Sequence, residues 1–219
     1  MSLQAMVFDA YGTLFDVHSV VARCEQFWPG RGAAVSQLWR SKQLEATWLR
    51  SLMERYVDFS MVTADALNYA TAALDLPCGE NERAALLDAY RCLAPFPDAR
   101  PTLEALSGCK RAILSNGAPE MLQAAVEHAG LAPWLDAVLS VDTLQIYKPH
   151  PSVYQLACQR FALPPEQIGF VSANGWDAAG AKAAGFTVFW INRSAAPAEQ
   201  LGVRPDHVIR DLAELPFLI

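Results

Sequence analysis

The sequence lacks the features that mark several protein classes. It contains no run of basic residues and no stripe of Lys or Arg, and its formal net charge is −6. A nucleic-acid partner is therefore not expected. No apolar stretch approaches the length of a membrane span, and the first residues lack the basic-then-apolar pattern of a signal peptide. We therefore expect a cytoplasmic protein with no membrane partner.

Cysteine and histidine are few, and neither type is clustered. The five cysteines form no C-x-x-C pair and their number is odd, which predicts reduced thiols instead of a disulfide framework. The four histidines show no spacing typical of metal ligands. Neither residue type indicates a zinc site.

Apolar residues, by contrast, are abundant. Hydrophobic residues make up 53% of the 219 positions and charged residues 18%, which allows a large buried core and argues against disorder. A chain of this length forms one good-sized domain, or a core domain with a smaller inserted one.

The most informative segment is Ala5–Asp16. Its short apolar run predicts a buried parallel strand that ends in Asp9, and open α/β sheets bind ligands at the carboxyl ends of such strands. Gly12 permits a tight turn, and Thr13 can hydrogen-bond a neighbouring carboxylate. Position 11, two residues after Asp9, is a tyrosine and not a second acid.

The rest of the chain divides into two patterns. Residues 17–93 predict helices with no convincing buried strand, at Val17–Trp28, Ala34–Val57, Thr63–Leu74 and Asn81–Cys92. From residue 99 onward helices alternate with apolar strands, predicted at Arg111–Leu114, Ala137–Val141, Ile168–Val171, Val188–Ile191 and His207–Ile209. Because the first strand must join this sheet, we predict an α/β fold. It has a Rossmann-like parallel core of residues 1–16 and 94–219 and an inserted all-α cap of residues 17–93.

Polar residues follow several of the predicted strands. Parallel strands place their carboxyl ends at one edge of the sheet, so the following residues should converge there: Asp9, Thr13, Ser115, Asn116, Lys148, Tyr154, Ser172, Asn174, Trp176 and Asp177. Taken singly, the acids and serines could be caps of turns or helices, Lys148 a solvated loop residue and Tyr154 a half-buried helix residue. Two aspartates, a lysine, two serines and two asparagines at one edge favour a catalytic site over independent caps.

The second predicted helix carries another signal. Arg40, Leu44 and Trp48 are spaced by four and therefore lie on one helical face, which puts a cation on an apolar stripe. Either Arg40 extends to solvent at the edge of the stripe, or it enters a largely apolar pocket to hold an anion. Composition does not separate these two alternatives. Phe59 and Trp176 are core candidates that could also line such a pocket.

The order of the motifs resembles the haloacid dehalogenase superfamily. Its four motifs correspond here to Asp9 with Gly12-Thr13, Ser115-Asn116-Gly117, Lys148-Pro149 and Asn174-Gly175-Trp176-Asp177. Within the superfamily, the chain closely resembles the L-2-haloacid dehalogenases at residues 9–16, at Trp39-Arg40 with Leu44, and at residues 171–177. This narrower resemblance covers nearly the whole chain.

The resemblance implies that Asp9 is a nucleophile, because attack by an aspartate carboxylate is the shared step of the superfamily. Phosphatase members carry a second Asp two residues later, which protonates the leaving alcohol and whose backbone carbonyl helps to bind Mg²⁺. Tyr11 occupies that position here, and a phenol with an ordinary pKa of about 10 is a poor acid at neutral pH. A halide leaving group needs no proton, so Tyr11 favours dehalogenation without a metal or cofactor.

The remaining site residues implied by the resemblance form two groups. One group would orient the nucleophile, balance its charge and activate the water that cleaves the ester: Thr13, Lys148, Tyr154, Ser172, Asn174 and Asp177. The other would bind the substrate, with Ser115 at its carboxylate and Arg40 and Asn116 at the departing halide: Ala10, Tyr11, Arg40, Leu44, Phe59, Ser115, Asn116 and Trp176. The expected partners are a small 2-haloacid and a halide ion.

Two other functions stay open on the sequence. A small-molecule phosphatase of the same fold would need Mg²⁺ on Asp9 and Asp177 without an acid at position 11. A protein without catalytic activity could use the same cleft and Arg40 to hold a small anion. The resemblance also implies a homodimer, and an apolar helix face that includes Leu52 and Met53 agrees with one, although such a stripe is more often core.

Overall fold

The computed structural model describes residues 2–219 and contains a parallel sheet of six strands. The strands are β1 (Ala5–Phe8), β2 (Lys110–Ser115), β3 (Ala137–Ser140), β4 (Ile168–Ser172), β5 (Thr187–Ile191) and β6 (His207–Ile209). Their order across the sheet is β3-β2-β1-β4-β5-β6, and every pairing is parallel. This is the doubly wound order of Rossmann-like sheets. The predicted α/β fold is confirmed.

Burial distinguishes the centre of the sheet from its edges. All residues of β1 and β4 are buried, as expected for parallel strands that are covered on both faces. The edge strands β3 and β6 are partly exposed. Strands β1 and β4 are neighbours at the point where the strand order reverses, and sheets of this type bind ligands beyond the carboxyl ends of the strands at that point.

Eight α-helices accompany the sheet in the described part of the chain. Four lie within residues 17–93, namely α1 (Ser19–Phe27), α2 (Gly32–Leu52), α3 (Phe59–Ala73) and α4 (Glu80–Ala89). The others are α5 (Ala99–Ala105), α6 (Pro119–His128), α7 (Pro151–Phe161) and α8 (Gly175–Ala183). Short 3₁₀ helices span Ala132–Trp134, Val141–Leu144, Pro165–Gln167 and Leu212–Phe217. Helices α7 and α8 pack against each other and on strands of the sheet, whereas α2 packs between α1 and α3.

The observed limits of two helices differ from the predicted ones. Helix α2 ends at Leu52 and not at Val57, because Glu54 adopts a left-handed φ of 55° that takes the chain out of the helix. Helix α3 begins at Phe59, four residues before the predicted start, because the Asp58 side chain accepts a hydrogen bond from the backbone N–H of Met61 at 2.9 Å. Aspartate is a favoured N-cap residue, and the sequence-based limit overlooks it.

The chain enters and leaves the four-helix segment at adjacent points. The backbone N–H of Asp16 donates to the Ala94 carbonyl, and that of Phe96 donates to the Leu14 carbonyl, both at 2.8 Å. The two crossings therefore run side by side. The division into a core of residues 1–16 and 94–219 and a cap of residues 17–93 stays a prediction.

Two further expectations concern the whole chain. All five cysteines are free thiols in the structure. Among residues 2–219, no helix combines the length and the apolar character that are needed to cross a membrane.

Candidate active site

The residues that follow β1 and β4 meet around the Asp9 carboxylate. Asp9 directly follows β1, and its Oδ2 accepts hydrogen bonds from Thr13 Oγ1 at 3.2 Å and from Asn174 Nδ2 at 2.8 Å. Its Oδ1 accepts a hydrogen bond from Lys148 Nζ at 3.2 Å. Only 6% of the Asp9 surface is exposed. Three donors therefore hold this carboxylate in one orientation.

A tight turn after β1 sets the position of Thr13. Three successive backbone N–H groups donate to the Ala10 carbonyl, and Gly12 has a φ of 90°, a conformation that glycine adopts without strain. The Thr13 hydroxyl donates to Asp9 and accepts a hydrogen bond from the backbone N–H of Ala173 at 2.9 Å. Thr13 thus joins the loop that follows β1 to the loop that follows β4.

Lys148 lies between two buried carboxylates. Its Nζ donates to Asp177 Oδ2 at 2.9 Å as well as to Asp9 Oδ1, and the ammonium stands 5.0 Å from the ring centroid of Phe170. Burial opposes the charged form of Lys148, but the charges of Asp177 and Asp9 outweigh it and raise the pKa of Lys148 above its ordinary value. The lysine therefore remains a cation and offsets the repulsion between the two aspartates.

Asp177 is fully buried in the first turn of α8. Burial raises its pKa, the charge of Lys148 counteracts that rise, and the charge of Asp9 adds to it. The hydroxyl of Tyr154 donates to Asp177 Oδ1 at 2.8 Å, and burial raises the pKa of Tyr154 well above its ordinary value, so this phenol stays a donor. A carboxylate with a raised pKa is a stronger base than an ordinary one.

Three other polar residues brace the backbone around this cluster. The hydroxyls of Ser115 and Ser172 each accept a hydrogen bond from the backbone N–H two residues later, both at 3.1 Å. Asn116 Oδ1 accepts a hydrogen bond from the backbone N–H of Lys148 at 3.0 Å. The Ser115 hydroxyl hydrogen and the Asn116 Nδ2 have no partner among the described residues, and both groups can donate to a ligand.

Helix α2 brings Arg40 and Leu44 to the same edge of the sheet. Together with Tyr11 and Asn174 they line a cavity of about 450 Å³. In residues 2–219, no acid pairs with Arg40, whereas Arg193, which lines the same cavity, is paired with an aspartate at 2.7 Å. The geometry therefore favours the second alternative for Arg40, a cation turned toward a cavity.

Tyr11 forms an aromatic wall beside Asp9. Its ring stacks on Phe59 with the centroids 5.7 Å apart. Its hydroxyl is buried and has no hydrogen-bond partner in the described chain. Burial raises the pKa of Tyr11 above its ordinary value, although the charge of Arg40 counteracts this rise. Tyr11 therefore supplies an apolar surface and not an acid at neutral pH.

The structure does not place Trp176 in the cavity that Arg40 lines. Its ring packs edge-to-face on Trp48 with the centroids 5.4 Å apart, and it lines a separate cavity of about 380 Å³ that also borders Lys148. Trp176 is therefore adjacent to Lys148 on a different side from Leu44.

Two residues that support the cluster are missing from the sequence-based set. Phe170 lies beneath the Lys148 ammonium, and an apolar residue in a buried strand gives no signal of such a role. A Cβ at Gly180 would collide with the Tyr154 hydroxyl, so glycine lets this tyrosine reach Asp177. Glycine inside a predicted helix is a signal of close packing.

The space beside Asp9 and the Tyr11 carbonyl is occupied by a donor. Asn174 Nδ2 donates to Asp9 Oδ2 at 2.8 Å and to the Tyr11 carbonyl at 3.3 Å. An amide N–H in this position does not fit a metal ion, which would require these oxygens as ligands. Across residues 2–219, no group of three His, Cys, Asp or Glu residues is placed to hold a metal.

Known proteins resemble this chain in both sequence and structure. Residues 3–185 match the family model of the haloacid dehalogenase-like hydrolases. The (S)-2-haloacid dehalogenase of Pseudomonas sp. (strain YL) is 50% identical over 212 residues, which are 96% of this chain and 91% of that protein.

Solved structures agree with the sequence comparison. The crystal structure of an L-2-haloacid dehalogenase matches with a TM-score of 0.97 at 50% identity and covers 100% of this chain and 99% of that chain. The L-2-haloacid dehalogenase from Xanthobacter autotrophicus with chloropropionic acid covalently bound matches with a TM-score of 0.93 at 44% identity, covering 99% and 98%. The chain therefore belongs to the haloacid dehalogenase-like hydrolases and, within them, to the (S)-2-haloacid dehalogenases.

Proposed function

We propose that this protein hydrolyses short-chain L-2-haloalkanoic acids to D-2-hydroxy acids through an ester on Asp9, with inversion at C2. The observation that carries the proposal is the Asp9 carboxylate, which is oriented by three donors and followed two residues later by Tyr11 instead of an acid. The names of its relatives support the same substrate class, and chloropropionic acid is covalently bound in the Xanthobacter protein.

In the first step, a carboxylate oxygen of Asp9 attacks C2 from the side opposite the halogen. A carbon–oxygen bond forms while the carbon–halogen bond breaks, and the halide leaves with the bonding electron pair. The Ser115 hydroxyl and backbone N–H groups beside Ala10 hold the substrate carboxylate. Arg40 and Asn116, which have unused donors, stabilise the negative charge that develops on the halogen.

In the second step, water attacks the ester carbonyl carbon of Asp9. Asp177 accepts the proton of this water, for which its raised pKa suits it, and the loop of Ser172 and Asn174 orients the attack. The bond between the Asp9 carbonyl carbon and the ester oxygen then breaks, Asp9 returns as a carboxylate, and the departing oxygen takes a proton to become the hydroxyl of the product. The bond between C2 and this oxygen is not broken, so the inverted configuration persists in the product. Lys148 remains charged throughout and stabilises Asp177, as well as Asp9 whenever it is a carboxylate.

Apolar side chains surround the alkyl group of the substrate in this proposal. Tyr11 and Leu44 form one wall, Phe59 stacks on the Tyr11 ring, and Trp176 closes the side next to Lys148. We propose that residues 17–93 act as a cap, because they supply Arg40, Leu44 and Phe59 to a site that is otherwise built on the sheet. Exclusion of water by such a cap strengthens the interactions of Arg40 with an anion.

A metal-dependent phosphatase is disfavoured by one geometric observation. The Asn174 amide donates to the two oxygens, on Asp9 and on Tyr11, that would face Mg²⁺. Position 11 also lacks the acid that would protonate a leaving alcohol. A function limited to anion binding would give no reason for the buried pairing of Lys148 with Asp9 and Asp177.

The decisive assay measures halide release from L- and D-2-chloropropionate, with and without EDTA, beside phosphate release from p-nitrophenyl phosphate. We expect halide and D-lactate from the L substrate alone, at a rate that chelation does not change. Phosphate release that requires Mg²⁺ would assign a phosphatase. Saturable binding of the substrate without turnover would assign a binding protein.

A further inference from the structure

Arg40 stands between two cavities of similar size. The inner cavity, about 450 Å³, is the one beside Tyr11 and Asn174 described above. An outer cavity of about 400 Å³ lies between α1 and α2 and has Tyr90 in its wall. Among residues 2–219, only Val17, His18 and Arg40 line both cavities. Of these three, Arg40 has the long flexible side chain that can face either cavity, because rotamer changes of such side chains are fast.

The charges around the two cavities differ. Glu199 lines the inner cavity, together with Arg40 and Arg193. Within residues 2–219, the outer cavity is lined by Arg40 and by no acidic residue. Arg40 is half-buried and makes no ion pair in this part of the chain. A cation that is partly removed from water and lacks a protein partner favours a bound anion.

The outer cavity also offers donors beside the cation. Ser36 is buried, lines the cavity, and its hydroxyl bonds no other described residue. The exposed Gln37 lines it as well. The wall opposite is apolar and rigid, because the Tyr90 hydroxyl donates to Gln43 Oε1 at 3.1 Å and its ring packs on Trp39 at 4.8 Å between centroids. The single positive charge of Arg40, with neutral donors on Ser36 and Gln37 beside it, would balance the charge of a small monovalent anion.

We propose that the outer cavity is the release site for the halide ion. After the carbon–halogen bond breaks, Arg40 carries the halide from the inner to the outer cavity, while the substrate and the hydroxy acid pass through the inner one. This inference rests on the proposed function, which supplies the halide. Separate routes would let the halide leave while the ester still occupies the site beside Asp9.

Filling the outer cavity tests this route. Ser36→Phe places a ring in the cavity, and Gln37→Trp, at an exposed position, blocks its mouth if the first variant does not fold. Ala34→Phe is the matched control, since Ala34 is exposed on the same helix and does not line the cavity. We expect both filling variants to lower steady-state kcat by about threefold or more, because halide release becomes limiting. Ester formation in a single turnover, followed by rapid quench, should change much less, and the control should match wild type.

Halide binding is measured separately from turnover, by line broadening of ³⁵Cl NMR signals. We expect Ser36→Phe or Gln37→Trp to weaken chloride binding by about tenfold, as for the loss of a hydrogen bond to a charged group. Unchanged chloride binding and unchanged kcat in both filling variants would overturn the inference. If the filling variants weakened the binding of D-lactate and not that of chloride, the cavity would be assigned to the organic product. That result would also overturn the inference.

The two proposals fail in different ways. In one outcome, the protein turns over L-2-chloropropionate normally and its chloride binding does not depend on Ser36 or Gln37. That outcome would refute the outer site alone. In another outcome, the protein releases no halide from any 2-haloacid but binds chloride in a way that Ser36→Phe abolishes. That outcome would refute the proposed function. It would also reduce the outer cavity to an anion site without a release role.

Discussion

The two sides of the candidate site are built in opposite ways. On the sheet side every buried charge has a partner, since Lys148 joins Asp9 and Asp177 at 3.2 and 2.9 Å. On the helical side, Arg40 is half-buried and makes no ion pair with any described residue. The charged groups on the sheet side are therefore paired without a ligand, and the donors left unused there, on Ser115 and Asn116, are neutral, whereas the cation on the helical side has no partner.

This difference assigns the two sides different tasks. In the proposed mechanism, paired, buried groups on rigid strand ends keep Asp9 as nucleophile and Asp177 as base in position before any substrate arrives. An unpaired cation on a helix gains a partner only when an anion enters. Substitutions on the sheet side should therefore affect chemistry with every substrate, and those on the helical side should depend on the leaving group.

The largest effect is expected for Asp9→Asn. An amide is not a competent nucleophile at this carbon, so turnover should fall by about 10⁴-fold or more while the protein still folds. Asp58→Asn is the control, since asparagine also caps a helix and activity should be retained. Mass spectrometry after turnover in ¹⁸O-water should find label in the Asp9 peptide. Label that enters the product directly in a single turnover would show that water attacks the substrate.

Arg40→Lys should have the next largest effect. Lysine lacks the reach and the fork of donors of a guanidinium, so kcat on chloro substrates should fall by about 10²–10³-fold, as for the loss of one oriented donor. The loss should be smaller on bromo and iodo substrates, whose leaving groups need less stabilisation. Arg50→Lys, at an exposed ion pair with Asp65, should be nearly silent. Equal losses with all three halogens would remove Arg40 from the halide role.

Tyr154→Phe should change the pH profile more than the maximal rate. The Tyr154 hydrogen bond lowers the pKa of Asp177, against the larger effect of burial that raises it. Removing that bond leaves the Asp177 pKa higher, so Asp177 becomes a base only at higher pH. The acid limb of the kcat–pH profile therefore moves to higher pH. The optimum rate should fall about tenfold. The control Tyr69→Phe, at an exposed position, should leave the acid limb in place. An acid limb that moves to lower pH in Tyr154→Phe would contradict the role of Asp177 as base.

The smallest effect compares two buried phenols. Tyr11→Phe removes a hydroxyl without a partner among the described residues and should raise the free energy of unfolding by about 1 kcal/mol. Tyr90→Phe removes a hydroxyl that donates to Gln43 and should lower it by about 1 kcal/mol. Urea unfolding measures both values. Equal destabilisation by the two substitutions would show that the Tyr11 hydroxyl is satisfied in solution.

Local pattern was sufficient to predict the sheet side of the site. The apolar run before Asp9 and the alternation after residue 99 predict parallel strands, and parallel strands end at one edge. Residues such as Thr13, Lys148 and Asp177 could therefore be brought together without knowing any distance. The Asp58 cap and the positive φ of Glu54 change only where α3 begins and where α2 ends.

Tertiary structure alone decided the helical side. The spacing of Arg40 and Leu44 shows that they share a helix face, but not which surface that face meets or whether an acid lies opposite Arg40. Trp176, two positions after Asn174, lines a different cavity from Arg40. The sequence determined which polar groups gather at the strand ends, because that follows from hydrogen-bonded strand geometry. The docking of α2 beside Tyr11, and the two cavities that Arg40 divides, depend on side-chain packing between segments distant in sequence, which no local pattern encodes.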